Sequence, residues 1–145
     1  MSEEAAVVQQ PSQPSGAVRD PQVTRVLVID DSNTIRRSAE IFLKQGGCEV
    51  VLAEDGFDAL AKVSDHRPDV IFCDILMPRL DGYQTCAIIK RNPEFASVPV
   101  IMLSSKDGLF DKARGRMVGS QDYLTKPFTK DQLLQAVSMH RRVVA

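Results

Sequence analysis

Cysteine is scarce: Cys48, Cys73 and Cys86 are the only three among 145 residues, widely spaced and set among apolar neighbours. That number and spacing argue against a disulfide framework and a zinc site, and predict reduced, buried thiols. Charge of one sign is lacking as well. Eighteen Lys and Arg stand against 19 Asp and Glu, a net charge of -1, with a pI near 6.1. Such a balance provides no basic footprint for nucleic acid or anionic lipid. No apolar run approaches the roughly 20 residues of a membrane-spanning helix, so no membrane insertion is expected. The start, Met1-Ser2-Glu3-Glu4, lacks the basic segment and apolar stretch of a secretory signal. The expected location is the cytoplasm.

The first stretch is poor in large apolar groups and rich in Gln, Ser and Pro (Gln9, Gln10, Pro11, Ser12, Gln13, Pro14, Ser15). Residues 1–23 therefore read as a disordered N-terminal tail, because little burial offsets the entropy of ordering them. Residues 24–145 read as one domain, a size that suffices for a buried core. Within it, short apolar runs alternate with amphipathic stretches five times, the pattern of βαβ units. Strands are predicted at Arg25–Asp30, Glu49–Ala53, Asp69–Asp74, Val98–Ser104 and Asp122–Thr125. The third and fourth are apolar enough to be central, buried on both faces. Helices are predicted from Ser32-Asn33 to Gly46-Gly47, then at Gly56–His66, Gly82–Arg91, Leu109–Val118 and Lys130–Arg142. Right-handed crossovers place them on both faces of a doubly wound, five-stranded parallel α/β sheet.

Asp30 and Asp31 follow VLVI, Asp74 follows VIFC, and Lys126 follows DYLT. All four lie at predicted strand ends, which in a parallel sheet meet along the ligand-binding edge. Three carboxylates brought together there repel one another, and a hard divalent cation relieves them. Mg²⁺ accepts carboxylate oxygens and readily adds phosphate oxygens, while a Lys ammonium holds a further oxygen as a point charge. Carboxylates also act as nucleophiles towards phosphoryl groups, so the pattern suits an aspartyl phosphate. Pro78 stiffens the loop after Asp74, and Asp81-Gly82 form a turn into the third helix. His66 and His140 fall on predicted helices rather than at the acidic strand ends and read as surface or boundary residues.

Four motifs in order, IDDS, CDILMPRLDG, MLSS and YLTKPF, closely resemble the receiver domain of two-component response regulators, from about Thr24 to Arg142. The resemblance implies a flavodoxin-like, CheY-like fold with Asp74 as phosphoacceptor. It implies that Asp30, Asp31, Asp74 and the backbone carbonyl of Leu76 hold Mg²⁺, and that Lys126, before a cis Pro127, contacts the phosphoryl group. Ser104 and Tyr123 match the family's switch pair, coupled to the surface of the fourth helix, fifth strand and fifth helix, through which a downstream protein is expected to bind. Three residues follow the last predicted helix, so no DNA-binding or enzymatic output domain is expected and output runs through contacts. IDDSNTIRRSAE, DGFDALAK, DILMPRLDGYQTCAIIK and VIMLSSKDGLFDKARGRMVGSQDYLTKPF are similar to PilG-like regulators of type IV pilus twitching motility. That narrower resemblance implies a CheA-like histidine kinase as phosphodonor. A stand-alone chemotaxis receiver acting on a flagellar motor is the runner-up. A haloacid-dehalogenase-like phosphatase is the alternative from another class, but its second Asp, two residues after the nucleophile, is here Leu76. A receiver that has lost phosphorylation is disfavoured, since the acidic pair, acceptor, Ser104 and Lys126 are all present. Leu76, two residues after Asp74, and Lys106, two residues after Ser104, are expected to bear on the lifetime of the phosphorylated state.

Overall fold

The alternating apolar runs become five parallel strands joined by helices in the computed structural model, which describes residues 20–105 and 112–141. The order is β1 (Arg25–Ile29), α1 (Asn33–Gln45), β2 (Glu49–Ala53), α2 (Gly56–His66), β3 (Val70–Asp74), α3 (Gly82–Arg91), β4 (Val100–Ser105), α4 (Lys112–Val118), β5 (Asp122–Lys126) and α5 (Lys130–His140). The sheet order is β2-β1-β3-β4-β5, every pair parallel. Winding therefore runs from β1 outward to β2, then reverses past β1 to β3. The reversal point, between the ends of β1 and β3, is where such sheets bind ligands.

Because side chains alternate across a strand, successive residues feed two separate cores. Leu27, Ile29, Ile71, Cys73, Val100 and Met102 pack on one face with Ala59 and Val63 of α2 and Cys86 and Ile89 of α3. Val26, Val28, Val70, Phe72, Ile101 and Leu103 pack on the other with Ala39 and Leu43 of α1 and Leu133 and Val137 of α5. Every residue of β1 and β3 is buried, as is most of β4. β3 is the middle strand as expected, and β1 shares the central position with β4. The three thiols are free; Cys73 and Cys86 are buried and Cys48 is partly covered.

Short polar side chains start the helices. The Ser32 hydroxyl accepts from Ile35 N–H at 3.2 Å, Asp55 accepts from Asp58 N–H at 2.7 Å, and Asp81 and Thr129 each form a reciprocal capping box with a Gln three residues on. Gly46 ends α1 and Gly47 follows at φ +85°, a left-handed conformation that suits glycine. Predicted boundaries shift by a residue or two. β4 starts at Val100 rather than Val98 because Pro99 has no N–H to donate, although its carbonyl accepts from Ile71 N–H at 2.9 Å. β1 stops at Ile29, releasing Asp30 from the strand, and α5 ends at His140 rather than Arg142, with Arg141 as its cap. Residues 1–19 of the predicted tail, residues 109–111 of the predicted fourth helix, Lys106 and Arg142 lie outside the described residues.

Candidate functional site

Register places the four chemistry-bearing residues together. Ile29 pairs with Cys73, so the residues that follow, Asp30 and Asp74, leave adjacent strands side by side. Ser105 pairs with Lys126 two strands further on, and the lysine stem spans the gap. Carboxylate oxygens of Asp30, Asp31 and Asp74 lie within 4.8 Å of one another; Asp30 and Asp74 are buried and Asp31 is exposed. The Lys126 ammonium donates to Asp30 Oδ2 at 3.1 Å and to Asp74 Oδ1 at 3.0 Å. Asp30 Oδ1 also accepts from Ser32 N–H at 2.9 Å.

Among the described residues, one ammonium beside three carboxylates leaves negative charge in excess. Burial, then the Asp30 charge beside it, push the Asp74 carboxyl from 3.8 up to about 6, with Lys126 pulling the other way. Burial works against the Lys126 charge, but the Asp30 and Asp74 carboxylates outweigh it and raise the ammonium above 10.5. An oxygen-only, anionic donor set of this kind fits a hard divalent ion and not a soft one. A carboxylate that is buried yet lies at a loop mouth, among groups able to offset added phosphoryl charge, can act as an acceptor nucleophile.

The loop after Asp74 is held tightly. A Cβ built on Gly82 would lie 2.3 Å from the Asp74 carbonyl oxygen and 2.7 Å from Ile75 Cα, so only glycine permits this approach. Gly82 N–H donates to the Ile75 carbonyl at 2.8 Å, closing the turn under the acidic cluster. The backbone N–H of Leu76 lies 3.4 Å from Asp74 Oδ1, and the Leu76 side chain is exposed. Lys126-Pro127 is a cis peptide.

The chain matches the response regulator receiver domain model over residues 26–138. It belongs to the response regulator receiver family. It is 68% identical over 116 residues to the Pseudomonas aeruginosa protein PilG, covering 80% of this chain and 86% of that one. It is 36% identical over 116 residues to PilH of the same organism, covering 80% of this chain and 96% of PilH. Among solved structures, the chemotaxis protein CheY4 of Vibrio cholerae superposes with a TM-score of 0.77 at 33% identity, covering 81% of this chain and 98% of that one. Receiver domains bind Mg²⁺ at such an acidic pocket, and membership implies a phosphodonor kinase and downstream targets. Among the described residues, no helix is long and apolar enough to cross a membrane.

Other residues singled out in the sequence are placed differently. Ser104, one residue beyond the Asp74–Leu103 pairing, is buried and its hydroxyl donates to the Ser105 carbonyl at 3.3 Å, along its own strand. Tyr123 is half-buried on β5, with the Lys112 ammonium 5.5 Å from its ring centroid. His140 bonds Asp122 at 3.0 Å, joining the end of α5 to the start of β5, at the opposite end of the strand from Lys126. The His66 carbonyl accepts from Arg25 at the foot of the sheet.

Arg36 is a supporting residue that the motifs did not single out. Its guanidinium donates to the Asp30 carbonyl at 2.6 Å and to Asn33 Oδ1 at 2.5 Å, fixing the backbone beneath the acidic pair. Its position in the first turn of α1 is the only sequence signal, since a side chain there leans back over the preceding turn.

Proposed function

We propose that this receiver, residues 24–145, is phosphorylated on Asp74 by a phosphohistidine of a CheA-like kinase and controls type IV pilus twitching motility through phosphorylation-dependent contacts. The observation that carries the reading is the convergence of Asp74 with Asp30, Asp31 and Lys126 at the switch point of the sheet. An Asp74 oxygen attacks phosphorus and forms the O–P bond. The P–N bond breaks, and its electron pair returns to the imidazole nitrogen of the donor. Lys126, already within hydrogen-bond distance of Asp74, stabilises the charge carried by the phosphoryl oxygens. Asp30, Asp31, Asp74 and the Leu76 carbonyl are the residues to hold Mg²⁺, which when bound neutralises charge shared between carboxylate and phosphate.

The Ser104 hydroxyl now donates along its own strand; turning it towards a phosphoryl oxygen exchanges one partner for another of higher charge. Coupled inward movement of Tyr123 remakes the α4–β5–α5 surface, where a cavity of about 270 Å³ is lined by Lys112, Arg116, Ser120, Gln121, Asp122 and Tyr123. Phosphate acts through its differential contacts with the two arrangements. The identity shared with PilG supports the pilus assignment over a flagellar one, because it is about twice that shared with the chemotaxis protein.

Phosphotransfer settles the chemistry: acid-labile phosphate from acetyl phosphate or kinase is expected on wild type and absent from Asp74→Asn. Phosphate retained by Asp74→Asn refutes the assignment. Complementation of twitching in a deletion strain by wild type but not by Asp74→Ala checks the pathway, and full rescue by Asp74→Ala sinks it.

A further inference from the structure

A cavity lies on each side of α4. Lys112 and Arg116 line the one towards β5; Arg114 and Val118 line the other, a groove of about 300 Å³ between α4 and α3. Helical spacing divides α3 between core and groove. Cys86 and Ile89 are buried against the sheet, whereas Gln84, Ala87, Ile88 and Arg91, at i, i+3, i+4 and i+7, form one stripe along the groove. Ala87, Ile88 and, from α4, Val118 are half-buried there, so the middle of the groove is apolar and partly open. Each end carries a cation. At the start of α3 the Arg114 guanidinium lies 4.4 Å from the Tyr83 ring centroid, which holds it against the wall. Its ion pair with Asp81 Oδ2 is long, at 3.9 Å, while Asp81 Oδ1 caps α3 through Gln84 N–H, and the Arg114 side chain remains 52% exposed. Arg91, exposed in the last turn of α3, stands about 12 Å of helix beyond Tyr83. Among the described residues no carboxylate lines the groove.

We propose that the α3–α4 groove docks an amphipathic helix of a partner protein that presents two apolar side chains between two carboxylates, in the spacing Glu-x-x-Leu-Leu-x-x-Glu. The leucines cover Ala87, Ile88 and Val118, and the carboxylates meet Arg114 at one end and Arg91 at the other. Carboxylates at i and i+7 of a helix share a face and stand about 10 Å apart, a separation that two arginine side chains reach. The groove between two packed helices has one direction, which suits a third helix laid along it. Its volume is at the low end for a small-molecule cavity, about 300–1,000 Å³, and fits side chains from a covering helix. Arg114 is already fixed on Tyr83, so little conformational freedom is lost when a carboxylate pairs with it. Because α4 stands between this groove and the α4–β5–α5 surface, the helix binds beside an output target and does not displace it. Docking here needs no phosphoryl group at Asp74.

The test titrates the full, isotope-labelled chain with a synthetic alanine-based helical peptide carrying Glu-x-x-Leu-Leu-x-x-Glu, followed by NMR. Amide shifts are expected to centre on Ala87, Ile88 and Val118. Replacing both Glu by Lys in the peptide, or Arg91→Glu in the protein, is expected to weaken binding about tenfold, and replacing both Leu by Ser to abolish it. Arg91→Glu should regain affinity for one of the two peptides in which a single Glu is Lys, a rescue that a misfolded variant does not give. No shifts up to about 1 mM peptide, equal affinity for the Glu, Lys and Ser peptides, failure of both single-Lys peptides to rescue, or shifts centred on Lys112 and Tyr123 each overturn the proposal. Self-association of the peptide-free chain through the same amides overturns it in favour of a second copy as the occupant.

Discussion

Asp74→Asn should stabilise the metal-free protein. Ionised Asp74 sits buried beside Asp30, and its carboxyl is pushed from 3.8 up to about 6. Its folded state therefore binds a proton more tightly than the unfolded chain does, and stability falls as pH rises from about 4 through about 6. A shift of this size corresponds to about 3 kcal/mol of unfavourable free energy at pH 7.5, falling to about 1 kcal/mol at pH 4.5, where the folded carboxyl is already protonated. Its side chain is only 5% exposed, so solvent screening removes little of this. Asparagine keeps a carbonyl for the Lys126 ammonium and discards the charge. Urea unfolding in EDTA should show a gain approaching 3 kcal/mol for Asp74→Asn at pH 7.5 and about a third of that at pH 4.5. Saturating Mg²⁺ should narrow the difference by stabilising wild type, through binding to the folded state alone. A variant less stable than wild type at pH 7.5 in EDTA, or a gain that does not shrink on acidification, refutes the reasoning.

Lys126→Met removes the ammonium that bridges Asp30 and Asp74 and should cost about 3 kcal/mol in EDTA at pH 7.5, measured by the same unfolding assay; a loss under half a kcal/mol contradicts the pairing. In Gly82→Ala the added methyl meets backbone atoms that cannot turn aside, so a loss of about 1–3 kcal/mol is expected, together with weaker Mg²⁺ binding in a fluorescence or NMR titration; a neutral substitution disproves the close approach. Leu76→Asn should shorten the phosphorylated state, because an amide beside Asp74 can hydrogen-bond an attacking water where an exposed leucine cannot. The decay of acid-labile phosphate measures it, and an unchanged rate removes the idea.

Sequence alone carried most of the fold, for physical reasons visible in particular segments. VLVI and VIFC are short, apolar and bounded by polar residues, and helices as long as α1 and α2 show both a capping side chain and an apolar face. Boundaries were less legible where a backbone property outweighed apolar pattern, as when Pro99 delays the β4 ladder by two residues. The residues of the site were also legible, because strand-terminal Asp and Lys recur in a fixed order along the chain. Sequence did not determine their distances, the strand order that makes β1 and β3 neighbours, or the burial that, with the Asp30 charge, pushes Asp74 up. Those depend on non-local register: Asp30 and Lys126 are 96 residues apart in the chain and 3.1 Å apart in space. For the same reason only the tertiary structure revealed that Arg36 braces the Asp30 backbone and that Arg114 reaches the ring of Tyr83, since local pattern records which face a residue occupies but not which distant group meets it there.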